Sequence, residues 1–108
     1  MTMGYRFMRL MVFFDLPTVT KAEIKTYTQF RKFLIKEGFV MMQQSVYTKI
    51  LLNGTMAELM MARLYKAVPK NGLVQSLLVT ERQFANIKYL SGGKQNTIND
   101  SDDRLVVY

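Results

Sequence analysis

The sequence has no cysteine and no histidine. Without cysteine there are no disulfides, thiolate nucleophiles or zinc ribbons, and without histidine there is no imidazole acid–base chemistry and few of the usual metal triads. Any chemistry therefore has to rest on carboxylates and a hard cation. Carboxylates are themselves scarce, eight acids against fifteen lysines and arginines, for a net charge of +7 and a pI near 9.8. That balance points to a polyanionic partner, nucleic acid before an acidic membrane surface, or else to a plainly basic solvated protein. There is no apolar run long enough for a membrane span, and Arg6, Arg9 and Asp15 break the superficial likeness of the N-terminus to a signal peptide, so a cytoplasmic protein is expected. A chain of 108 residues makes one domain, and folding buries roughly two-thirds of its unfolded surface.

What the chain does have is an apolar, aromatic-rich run from Tyr5 to Asp15, which reads as a buried central strand. Alternation puts Met8, Leu10, Val12 and Phe14 on one face and Phe7, Arg9, Met11, Phe13 and Asp15 on the other. Both faces are mostly apolar, and one layer of helices covers only one of them. The second is expected to meet another copy of the chain, giving a homodimer with Asp15 on the shared face.

A turn at Leu16-Pro17 leads to Thr20-Lys21-Ala22-Glu23, the form of a capping box, and a helix that Gly38 ends. At about 100° per residue, Tyr27, Phe30 and Leu34 share its buried side, while Lys21, Lys25, Lys32 and Lys36 share the opposite one. The four lysines span about 22 Å at 1.5 Å per residue, with no acid on the face they share, either as an ordinary solvated face or as a track for successive phosphates of a duplex.

Two strands follow, Phe39 to Gln44 and Ser45 to Leu52, joined by a tight turn or bulge. Thr55-Met56-Ala57-Glu58 predicts a second capping box, with Met56, Leu59, Met60, Leu64 and Ala67 as the buried stripe of a helix that Pro69 stops. Leu73 to Thr80 reads as a fourth strand, and Thr80 to Gln83 as the cap of a short helix through Leu90. The order strand, helix, strand, strand, helix, strand is that of a ferredoxin-like α+β fold over residues 1–90. Residues 91–103 are polar and aperiodic, a flexible linker that could extend to roughly 43 Å. It leads to a short strand, Arg104, Leu105, Val106, Val107 and Tyr108, expected to pair with a sheet edge of its own protomer, of its twin or of another protein.

Of the eight acids, Glu23 and Glu58 sit in predicted capping boxes, Glu81 at a helix start, Glu37 at a helix end, and Asp100, Asp102 and Asp103 in the polar segment. Only Asp15 ends a buried strand. It is either a side-chain cap of the following turn or a ligand for Mg²⁺ or Mn²⁺, which a two-fold axis would pair with its symmetry mate.

Phe14-Asp15-Leu16-Pro17, the helix segment Phe30-Arg31-Lys32-Phe33-Leu34, Gly38-Phe39 and Gln43-x-Ser45-Val46-Tyr47 together resemble the small core subunit of the CRISPR spacer-acquisition machinery, most of all the branch that accompanies type II-A systems. The resemblance implies a homodimer of ferredoxin-like folds seated between two dimers of the larger CRISPR integrase subunit, holding a double-stranded prespacer. It also implies a Mg²⁺-dependent endonuclease activity on RNA or DNA, with Asp15 matching the metal-binding aspartate, and a C-terminal strand, Arg104 to Tyr108, that contributes partner contacts. Leu16 to Thr20 lack the basic residue that closely follows this aspartate in several relatives, so the DNA contacts are assigned to Lys21, Lys25, Lys32 and Lys36, together with Arg31. Two functions follow: a scaffold that binds duplex phosphates without reading sequence, and a phosphodiesterase built on paired Asp15 residues.

Overall fold

In the computed structural model, which describes residues 7–93, the first apolar run forms strand β1 (Met8–Asp15). It is followed by α1 (Lys21–Lys36), β2 (Val40–Gln43), β3 (Val46–Leu51), α2 (Gly54–Ala67), β4 (Leu73–Thr80) and α3 (Glu81–Ala85). The predicted strand residues Tyr5 and Arg6, most of the linker and the terminal strand Arg104 to Tyr108 lie outside the described residues. The four strands form one antiparallel sheet in the order β2-β3-β1-β4, the ferredoxin-like arrangement, with β1 interior.

Alternation along β1 sends Leu10, Val12 and Phe14 into a core shared with Phe30 and Leu34 of α1, Tyr47 and Leu51 of β3, and Ala57, Met60 and Leu64 of α2. Phe14 is its aromatic centre, edge-on to Phe30 at 5.3 Å and within 6 Å of the Tyr27 and Tyr47 rings. Each such side chain contributes about 1.5–3 kcal/mol by leaving water. Since both long helices pack on this face, the sheet has a second face on which β1 places Arg9, Met11, Phe13 and Asp15.

The start of α1 follows its sequence signature. The Thr20 hydroxyl accepts from the Glu23 N–H at 3.1 Å, and the Glu23 carboxylate accepts from the N–H groups of Thr20 and Val19, both at 3.0 Å. Those two backbone donors, Thr20 first, hold the Glu23 carboxyl below its ordinary value. At the other end Gly38 takes a positive φ of 96°, which lets Phe39 turn back and bond to the Leu34 carbonyl at 2.9 Å. Lys49 donates to the Glu37 carbonyl there, and Arg63 of α2 pairs with the Glu37 carboxylate.

Three details differ from the sequence expectation. The second helix is capped by Asn53, whose side chain accepts from Met56 N–H at 2.9 Å, and not by a box at Thr55 and Glu58. Its buried residues are Ala57, Met60 and Leu64, while the predicted Met56 and Leu59 are exposed on its flank. It ends at Ala67, with Val68 extended as the ring of Pro69 requires. Finally, α3 keeps the predicted Thr80–Gln83 box but stops at Ala85, well short of Leu90.

Candidate functional site

Asp15 is the last residue of β1 and is exposed, beside a buried Leu16 that anchors the chain immediately after it. The α2–β4 turn packs against this strand end through Gly72. Its φ is +96°, and a Cβ there would lie 2.7 Å from Leu16 Cδ2 and 2.9 Å from the Asp15 carbonyl oxygen. Any larger residue would have to displace the backbone that carries the carboxylate, a role for Gly72 that its place in a Lys-Asn-Gly turn did not disclose. Among the described residues the Asp15 carboxylate makes no hydrogen bond or ion pair, so it does not act as the turn cap weighed above.

The face on which Asp15 stands is made by alternate residues of three strands. Register places Val46, Thr48 and Ile50 of β3 and Leu73, Gln75, Leu77 and Val79 of β4 beside Phe13, Met11, Arg9 and Asp15. Much of it is apolar and open: Ile50 is 48% exposed, Leu73 and Leu77 53% each. The expectation that no helix touches this face is corrected at one end. There α3 supplies Glu81, whose carboxylate accepts from Arg9 Nε and Nη2 at 2.7 Å each, and Phe84, whose ring centre lies 4.1 Å from the Arg9 guanidinium carbon. Arg9 Nη1 also reaches Thr48 Oγ1 at 3.4 Å. This closed corner is six residues, about 20 Å, from Asp15. Local pattern gives Arg9 only as a residue of the second face and Glu81 only as a helix-start acid, because the partners are 72 positions apart.

At the Asp15 end the face instead hollows into a basin of about 190 Å³, lined by Asp15, Ser45 and Gln75 over Phe13, Val46 and Leu73. Its lining is mostly apolar, and Asp15 is its one carboxylate, the ligand type that hard cations such as Mg²⁺ take; Mg²⁺ is commonly held by only one or two carboxylates with water and substrate phosphate completing its shell. No group of three or more His, Cys, Asp or Glu side chains that could hold a metal ion occurs among the described residues.

The sheet separates this basin from the predicted nucleic-acid stripe. Lys21, Lys25, Lys32 and Lys36 are all exposed on the outer side of α1, and none forms an ion pair among the described residues. Arg31 stands apart from them: it is half-buried, and its Nε donates to the buried Tyr47 hydroxyl at 2.9 Å. The predicted partner strand Arg104 to Tyr108 is outside the described residues. No helix among the described residues is long and apolar enough to cross a membrane.

Residues 8–87 match the family model of CRISPR associated protein Cas2. A CRISPR-associated endoribonuclease Cas2 of Streptococcus mutans serotype c (strain UA159) is 50% identical over 99 residues, covering 92% of this chain and 91% of that protein. The Treponema denticola and Ligilactobacillus salivarius proteins of the same name are 44% and 43% identical over 100 residues, each covering 93% of this chain and 99% of the relative. A solved structure titled as the crystal structure of cas2 superposes with a TM-score of 0.56 over 89% of this chain and 98% of that one, at 17% identity, a likeness of fold.

Proposed function

The chain belongs to the Cas2 family of CRISPR-associated proteins, and from that premise we propose that it is a metal-dependent endonuclease of RNA that works as a homodimer. The observation that carries this reading is the Asp15 carboxylate, without a partner among the described residues and held at a pinned strand end on the sheet face that the long helices leave open. Two copies meeting across that face bring their Asp15 residues together, with Mg²⁺ or Mn²⁺ as the cation they hold. The bound cation would supply an activated water and neutralise charge developing on the phosphate. The chain's own contribution is to hold the Asp15 carboxylate in place at the strand end, beside apolar Phe13, Val46 and Leu73, which a second copy seated on this face would help to shield from water. Among the described residues no strong general base lines the basin, and slow turnover is the expectation.

A second reading has its own support. The uninterrupted lysine side of α1 suits a structural subunit that holds double-stranded prespacer DNA and spaces CRISPR integrase dimers, with Arg104 to Tyr108 as the partner-binding strand. The two readings use different sides of the sheet and are separable. Single-stranded RNA incubated with the purified chain should be cut in Mg²⁺, spared in excess chelator and cut again when Mn²⁺ is added back. Cleavage that continues unchanged in chelator contradicts the endonuclease reading as a metal-dependent one.

A further inference from the structure

We propose that Gln75 seats the substrate's phosphodiester group beside Asp15, donating from its side-chain amide to a non-bridging phosphate oxygen. This rests on the metal-dependent reading of Asp15 and names a residue that works with it. Among the four side chains that β4 presents to the open face, Leu73, Leu77 and Val79 are aliphatic and Gln75 alone is polar. Phe13 faces Gln75 and Asp15 faces Leu73 across the β1–β4 ladder, so Gln75 and Asp15 are diagonal neighbours on one face, about 7–8 Å apart at the backbone. Both line the same basin, whose remaining walls include apolar Phe13, Val46 and Leu73.

Two consequences follow from that placement. The amide and the carboxylate flank a hollow of about 190 Å³, roomy enough for a phosphate group, where Asp15 would hold the cation and the Gln75 amide would offer the phosphate a neutral N–H donor. A second copy covering this face would remove water from the Gln75 amide, and an amide enclosed among Leu and Phe side chains must find a partner or be costly. A phosphate oxygen supplies that partner, whereas the aliphatic neighbours on β4 offer none. A lysine in place of Gln75 would compete with the cation for Asp15, and a second acid would repel the substrate, so a neutral donor is the side chain that fits.

The probe is the dinucleotide UpU, and the readout is broadening of its ³¹P resonance by protein-bound Mn²⁺, with Mn²⁺ occupancy followed separately by electron paramagnetic resonance. The full-length Gln75→Leu chain should bind Mn²⁺ as the unmodified chain does and sediment with the same mass, yet bind UpU roughly tenfold more weakly, as loss of a hydrogen bond to a charged group implies. Asp15→Asn should lose the Mn²⁺ signal itself. Undiminished broadening in Gln75→Leu overturns the proposal while leaving the metal reading intact. Loss of Mn²⁺ occupancy or of mass in Gln75→Leu overturns it in favour of a structural role. Full Mn²⁺ occupancy in Asp15→Asn removes the metal reading, and the proposal with it.

Discussion

Asp15→Asn is expected to lower Mg²⁺-dependent cleavage by at least roughly a hundredfold, since loss of groups one shell further from a metal already costs 10- to 100-fold. The substitution keeps shape and volume and removes the charge. The fold should not notice. Among the described residues the carboxylate has no hydrogen-bond or ion-pair partner, so its replacement by an amide breaks nothing that holds β1 in place. Unfolding stability should stay within about 0.5 kcal/mol, the range for surface changes away from special features. Urea unfolding and RNA cleavage measured on one preparation decide the matter: activity lost with the midpoint unmoved is the expected pair. Activity retained would show that the carboxylate at the strand end is not the metal ligand.

Replacing Lys21, Lys25, Lys32 and Lys36 together by Gln is expected to have its effect elsewhere, on duplex DNA. Each phosphate contact releases condensed counterions and adds about −0.9 to the log–log slope of affinity against salt. Four lysines on each of two protomers therefore set an upper bound near −7 for the slope, and the quadruple variant should show a slope close to zero with affinity at low salt reduced by orders of magnitude. Because the stripe lies on the outer side of α1 and the Asp15 basin on the far face of the sheet, cleavage of a short single-stranded RNA should survive the change. Fluorescence anisotropy with a labelled duplex across a salt series checks this. A slope unchanged from the unmodified chain would assign the DNA surface to other basic residues.

The fold was legible in the sequence wherever local chemistry decides it. The bounds of β4, the caps at Thr20 and Thr80, and the turn and bulge between β2 and β3 all rest on residues a few positions apart. The second helix shows how that logic slips. Asn53 and Thr55 are both good caps two residues apart, and the apolar arc of this helix is broad enough that its pattern does not tell Ala57, which is buried, from Met56 and Leu59, which are exposed. What local pattern could not reveal was anything joined across long separations: Arg9 clasped by Glu81 and Phe84, Gly72 lodged against the Asp15 backbone, and Gln75 brought beside Asp15 by ladder register. Elimination among the acids singles out Asp15 as the candidate, because a chain without histidine or cysteine leaves few others.

Everything assigned to the paired carboxylates depends on two copies covering the Ile50, Leu73 and Leu77 surface of the sheet. Sedimentation equilibrium of the full chain, alone and with a lysine at Leu77, addresses this directly. The unmodified chain should sediment at twice 12.6 kDa, and Leu77→Lys should fall to the monomer mass and lose cleavage with it. A fully active chain that sediments as a 12.6 kDa monomer would contradict the account.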